Sequence, residues 1–171
     1  MRKTRVELWT AEWEVMFERE KEALQCIFPS AEIHHIGSTS VKHIGYAKPI
    51  IDILLVVDDM QKAEVSCEGM KGLGYMSRGE NGIAGRRYFI KGGDERTHHV
   101  HLYEDGNQQI KKHLLFKQYL QEHTDDARQY GELKFELQRR FPHNTHDYQN
   151  GKEAFVNNVM QKAEQWDEEK G

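Results

Sequence analysis

The sequence predicts an α/β domain of the α+β kind: a mixed β-sheet preceded by one helix and followed by a helical final third. Three observations predict it. The apolar run from Ile50 to Val57, broken only by Asp52, has the length and composition of a strand buried on both faces. Residues 86–91 and 96–103 alternate like strands and are joined by Gly92-Gly93-Asp94, so they read as an antiparallel hairpin. From residue 107 onward the apolar positions recur at helical spacing.

Length and composition bound the rest. A chain of 171 residues suits a single domain over 1–171, with a core at about 9–105 and C-terminal helices at about 107–167. Its net charge of −4 gives no global field for nucleic acid or for an anionic membrane surface. No segment approaches the roughly 20 apolar residues of a membrane-spanning helix. Met1 to Trp13 has no apolar signal core, and Cys26 and Cys67 form no CxxC pair, so a reduced, cytoplasmic protein is expected.

The elements follow in order. Residues 9–28 form an amphipathic helix with Trp9, Trp13, Met16, Phe17, Leu24 and Ile27 on one face, ended by Pro29. The large aromatics there are core packing. Residues 31–37 make a strand, 39–44 a short helix, and 49–57 the buried strand. A helix over 60–71 leads to a strand at 73–78 and a glycine-rich connection at 79–85, a hairpin link or substrate loop. In the strand at 85–91, Arg86, Tyr88 and Ile90 share one face and Arg87, Phe89 and Lys91 the other. In the strand at 96–104, His99 and His101 share a face opposite His98. Asn107 caps a helix of 108–123 and Thr124 one of 125–141, with Tyr130, Leu133, Leu137 and Phe141 on its inner face. Residues 143–150 form a polar linker, with His143 and His146 as loop histidines. Asn150 caps a last helix at 151–167.

The chemistry concentrates between Ile36 and Val57. An ionised carboxylate in a buried strand is costly unless donors or a cation meet it, so Asp52 needs a partner. Gly37 and Ser38 make a tight turn just upstream. Ser38, Thr39 and Ser40 then offer hydroxyls and free amides at a helix start, an arrangement suited to phosphate. Lys48 lies beside this region, as a phosphate contact or as a solvated side chain. The His99–His101 pair has three readings: metal ligands, a general base with a phosphate donor, or hydrogen-bonded sheet histidines.

The segments HIGSTSV at 35–41, AKPIIDI at 47–53 and RTHHVHLY at 96–103 resemble the GrpB-like family, a branch of the nucleotidyltransferase-fold (DNA polymerase beta-like) superfamily. FKQYLQEH ending at His123, the LK at 133–134 and GKEAF at 151–155 extend the resemblance over nearly the whole chain. It implies a nucleotidyltransferase-like mixed sheet and the transfer of a nucleotidyl group from an NTP to an unassigned acceptor. In that reading Gly37, Ser38, Thr39, Ser40 and Lys48 hold the phosphates, and Arg86, Arg87 and Arg96 neutralise developing charge. Asp52, His99 and His101 are the catalytic and metal-holding group, with Mg or Mn as the divalent metal and Zn suggested by the histidines. One departure matters. Active members of the wider superfamily carry two carboxylates one residue apart on this strand, and here Ile50 stands two before Asp52. A nucleotide- or phosphate-binding module without transfer chemistry is therefore a second reading, and a zinc- or manganese-dependent phosphohydrolase a third.

Overall fold

The computed structural model describes residues 5–170. Strand β1 (Glu7–Leu8) pairs antiparallel with β3 (Tyr46–Ala47) as a small separate ribbon. The main sheet has five strands: β2 (Glu32–Ile36), β4 (Ile51–Val57), β5 (Tyr75–Ser77), β6 (Arg87–Lys91) and β7 (His98–Glu104), in the order β2-β4-β7-β6-β5. Only β4 and β7 run parallel; every other neighbour in this sheet is antiparallel. The mixed sheet and the 86–91/96–103 hairpin expected from the sequence are both present.

Alternation along the strands divides the core into two layers. Ile51, Ile53, Leu55, Phe89, Val100 and Leu102 face helix α1 (Glu12–Ile27) with α2 (Met60–Ser66) and α3 (Glu68–Gly72). The aliphatic residues Ile51, Ile53, Leu54 and Leu55 are fully buried, each contributing about 1.5–3 kcal/mol of burial energy. Leu54, Val56 and Tyr103 face the opposite side, where Ile110 and Leu114 of α4 (Gln108–Glu122) cover them. Helices α5 (Thr124–Arg140) and α6 (Thr145–Lys170) complete that side around Tyr130, Val159 and Ala163.

One polar group is built into the first layer. Glu20 accepts hydrogen bonds from the Tyr75 hydroxyl at 2.8 Å and Lys91 Nζ at 3.0 Å, with His98 Nε2 at 3.8 Å. A buried carboxylate needs such donors.

Several boundaries differ from the sequence expectation. Helix α1 begins at Glu12 rather than 9, because residues 7–8 are drawn into the ribbon and Trp9 N–H donates to Gly45 O at 2.8 Å. The expected helix at 39–44 is two single 3-10 turns, Ser38–Ser40 and Lys42–Ile44. The expected helix at 60–71 is split at Cys67. Asn107 does cap α4, accepting from Gln109 N at 2.9 Å. The largest difference is at 143–150. The linker and the Asn150 cap are absent, because Asn144 Oδ1 accepts from Asp147 N at 3.0 Å and starts α6 six residues earlier than expected, at Thr145 instead of 151.

Candidate functional site

Asp52 is the second residue of β4 and faces the α4–α6 side of the sheet. The parallel register sets Asp52 opposite His99 and Leu54 opposite His101, so both imidazoles project beside the carboxylate. His101 Nε2 donates to Asp52 Oδ1 at 3.1 Å, and His99 Nδ1 lies 3.5 Å from the same oxygen. On the far side of His101, Arg86 Nη1 donates to Nδ1 at 3.4 Å. A guanidinium only donates, so Nδ1 is the acceptor and the His101 proton sits on Nε2. Burial pushes the Asp52 carboxyl up; hydrogen bonds and attraction from His101 and His99 outweigh it and hold the group far below the ordinary carboxylate value. Asp52 is therefore an anion at neutral pH.

Gly37 sets the floor of the site. Its φ of +72 is a conformation glycine adopts without strain, and a Cβ there would fall 2.7 Å from Asp52 Oδ2. The turn thus sets Gly37 itself against Asp52 and brings Ser38 to the same chamber. Gly131 brings the lid of the site equally close: a Cβ on it would collide with the Ile44 carbonyl at 1.6 Å, so α5 lies directly on the 3-10 turn Lys42–Ile44. One turn along α5, Lys134 Nζ donates to Ser38 Oγ.

Between the sheet and α4–α6 runs a cleft of two chambers that share Gly37, Asp52, Phe116, Tyr130, Gln149 and Lys152. The narrow chamber, about 310 Å³, is polar, and its cations are Lys48, Arg96, Lys134 and Lys152 against the single acid Asp52. Lys134 is only 4% exposed and lies 4.3 Å from the Tyr130 ring centre. Lys48 and Lys152 stand over the Tyr148 ring at 4.6 and 5.5 Å. Arg96 Nε is buried with no hydrogen-bond partner among the described residues. Burial pushes the Lys134 ammonium well below its ordinary value, and the nearby charge of Lys152 adds to this while Asp52 opposes it. The wide chamber, about 580 Å³, is walled by Phe116, Tyr130, Val156 and Met160, with the amides of Gln109, Gln149, Asn150 and Asn157 and the charged side chains of Lys112, Lys152 and Glu153. His113 also lines it, and burial lowers that imidazole to about 4.

The expected site residues divide into three groups. Gly37, Ser38, Lys48, Asp52, Arg96 and His99 line the narrow chamber, and His101 lines the wide one. Thr39 also borders the narrow chamber, but its hydroxyl is spent on His35 Nε2 at 2.8 Å and Ile50 O at 3.4 Å. Three expected phosphate contacts are corrected. Arg87 projects from the other face of the sheet and pairs with Glu64 at 2.6 Å, because its position in β6 alternates with that of Tyr88. Arg86 is buried and donates to the carbonyls of Glu80 and Asn81, so it ties the 79–85 loop to His101 and lines neither chamber. Ser40 donates to Gly37 O at 2.6 Å and borders a groove beside α1. The three-residue turn at Ser38–Ser40 also supplies no helix terminus for a phosphate.

A divalent metal asks for several converging anionic or imidazole ligands. Among the described residues no group of three or more His, Cys, Asp or Glu side chains is placed to hold a metal ion. Both imidazoles turn to one Asp52 oxygen, the other oxygen is pressed against Gly37, and Ile50 occupies the wall where a second carboxylate would stand. The residues present do not fit the metal that the sequence suggested for Asp52, His99 and His101.

Lys134, Lys152, Tyr130, Tyr148 and Phe116 are site residues to which the sequence assigned no ligand role. A signal existed for Lys134: it lies four residues after Tyr130 and three before Leu137, a lysine within the buried stripe of α5. Lys152 and Tyr148 were hidden by the misplaced start of α6.

A family model described as GrpB protein matches residues 3–162. The UPF0157 protein YqkA of Bacillus subtilis is 44% identical over 167 residues, covering 96% of this chain; this chain spans 48%, about half, of that relative's length. A crystal structure of the conserved protein GrpB from Enterococcus faecalis superposes with a TM-score of 0.87 at 39% identity, covering 93% of this chain and 96% of the other. The Cid1 poly(U) polymerase, solved as an H336N mutant bound to MgATP, superposes with a TM-score of 0.54 at 14% identity over 78% of this chain and 44% of its own, a likeness of fold alone. Among the described residues no helix is long and apolar enough to cross a membrane.

Proposed function

The chain belongs to the GrpB family and has a nucleotidyltransferase-like fold, and from that premise we propose that it binds a nucleotide in the cleft between the sheet and the C-terminal helices. The observation that carries this reading is the pairing of the two chambers. The narrow one presents four cationic side chains and the Ser38 hydroxyl, the chemistry that holds a phosphate chain. The adjoining wide one presents aromatic and apolar walls with four amides, the chemistry that takes a nucleobase and reads its edge. Their combined volumes fall in the range of small-molecule sites, about 300–1,000 Å³.

Calorimetric titration tests the reading. ATP, GTP, CTP, UTP, adenosine and inorganic tripolyphosphate are each titrated into the protein. At least one triphosphate is expected to bind one site per chain and to bind about tenfold or more tightly than tripolyphosphate, since it fills both chambers. Binding by none of the four triphosphates overturns the proposal.

Nucleotidyl transfer to an acceptor is a second reading, favoured by His99. Its Nδ1 faces Asp52 at 3.5 Å, while its Nε2 is buried with no hydrogen-bond partner among the described residues. An imidazole held at one nitrogen, with the other nitrogen's hydrogen bond unspent, has the lone pair a general base needs once an acceptor reaches it. In this reading it takes the proton of an acceptor hydroxyl as that oxygen bonds to the α-phosphorus and pyrophosphate leaves. Pyrophosphate release that depends on added acceptor and is lost in His99→Gln supports it; a bound triphosphate that is never turned over by any acceptor tried leaves the protein a binding module.

A further inference from the structure

We infer that the cleft takes its nucleotide as the metal-free polyanion, with lysine and arginine side chains in the place of a divalent cation; this rests on the nucleotide reading above. Two independent observations lead there. The first is the donor set at Asp52. One carboxylate oxygen is shared by His101 and His99, the other stands against Gly37, and Ile50 contributes an aliphatic wall, so a cation would find one partly used carboxylate. The second is the charge of the chamber. Lys48, Arg96, Lys134 and Lys152 confront a single Asp52. The partners seen for Lys134 and Lys152 are neutral, a hydroxyl and aromatic rings, so their charge is not spent on carboxylates. Arg96 Nε is buried and unpartnered among the described residues, at the wall of the same chamber.

Charge balance then selects the form of the ligand. Lys48, Arg96, Lys134 and Lys152 face one carboxylate, so the chamber is positive on balance even with the Lys134 and Lys152 ammonium groups weakened by burial. A free triphosphate carries about four negative charges at neutral pH, whereas its magnesium complex carries about two and has its outer oxygens occupied. The free form therefore gains more from this chamber. A bound magnesium ion would also lie among three ammonium groups and a guanidinium, and like charges at such distances repel. Asp52 itself is the one group in the chamber that opposes a polyanion. Its role in this arrangement is to keep His99 and His101 in place and to moderate the repulsion among the lysines.

The test is a titration of ATP and of inorganic tripolyphosphate, each in EDTA and in magnesium at tenfold excess over ligand. Both ligands are expected to bind about tenfold or more tightly in EDTA. Asp52→Asn, which keeps the shape and removes the opposing charge, is expected to bind ATP in EDTA as tightly as the parent or more so. Lys152→Met, at the half-buried mouth, is expected to weaken it about tenfold with the melting temperature little changed. Tighter binding in magnesium, or loss of ATP binding in a folded Asp52→Asn variant, overturns the inference and leaves nucleotide binding standing. Absence of ATP binding in both buffers, alongside absence for the other triphosphates, overturns both.

Discussion

Lys134→Met separates a ligand-holding role from a structural one, because the two roles predict opposite changes. Methionine keeps the length of the stem and removes the charge. Lys134 is 4% exposed, and its seen partners are the Ser38 hydroxyl and the Tyr130 ring at 4.3 Å. Losing those contacts costs about 1–2 kcal/mol each. Removing a buried ammonium also removes a desolvation penalty of several kcal/mol. Stability therefore stays level or rises by about 1–2 kcal/mol, roughly 2–8 °C in Tm for a chain of this size. Affinity moves the other way. A charge-assisted hydrogen bond to phosphate is worth about 1.5–3 kcal/mol, so tripolyphosphate binding falls by about 10–150-fold. The pH dependence has a definite sign. Because the folded chain holds the Lys134 proton less tightly than the unfolded chain, this lysine's contribution to stability is best above 10.5 and declines as pH falls below it. That slope should flatten in the variant. Thermal unfolding without ligand, with calorimetric titration of tripolyphosphate, measures both effects. A variant that is markedly less stable yet binds tripolyphosphate like the parent refutes the reasoning. Arg87→Met is the control: its pair with half-exposed Glu64 lies on the other face of the sheet, so stability should change by under about 1 kcal/mol and affinity not at all.

Three further outcomes follow from the packing. Gly131→Ala places a methyl against the Ile44 carbonyl and must displace α5, costing about 1–3 kcal/mol in urea unfolding and also weakening tripolyphosphate binding as Lys134 leaves Ser38; an unchanged midpoint would show that the helix has room. Met160→Ala should weaken ATP by about three- to tenfold and leave tripolyphosphate unchanged, since Met160 lines the wide chamber and not the narrow one; equal losses for both ligands would contradict the division of the cleft. Burial, with Lys117 adding to it and Asp52 opposing, lowers the His35 imidazole from 6.5 to about 4. The unfolded chain takes up this proton first, so stability is complete above 6.5 and is lost as pH falls towards 4, by about 3 kcal/mol. Unfolding midpoints at pH 7.5 and about 5, compared with those of His35→Gln, check the sign, and a parent that gains stability on acidification contradicts it.

Much of the sheet side of the site was legible in the sequence because strand alternation is a strict rule. An apolar run holding one Asp fixes a buried strand, and the two-residue spacing of His99 and His101 fixes their shared face. What the sequence left open was the partner of that face. The parallel register that sets His99 beside Asp52 joins strands some forty residues apart, and no local pattern encodes it. Adjacent arginines were assigned together, although alternation sends Arg86 to one side and Arg87 to the other. The helical side was less legible. HNTHDYQN at 143–150 reads as polar loop, yet Asn144 caps it into helix and turns Tyr148 inward, fully buried. With that helix misplaced, Lys152 had no position relative to Asp52. Lys134 carried a local signal, a charge in an apolar stripe, and its meaning appeared only once Gly131 brought α5 down onto the Gly37-Ser38 turn.

The central claim is that one cleft holds a nucleotide with its phosphates among Lys48, Arg96, Lys134 and Lys152 and its base beside Phe116. A crystal structure of the protein grown with a non-hydrolysable nucleoside triphosphate, in EDTA, tests it most directly. The account predicts phosphate oxygens within hydrogen-bonding distance of Lys134 and Arg96, the base in the wide chamber, and Asp52 still bonded to His101. A triphosphate bound elsewhere on the molecule, with the narrow chamber filled only by water, would contradict it.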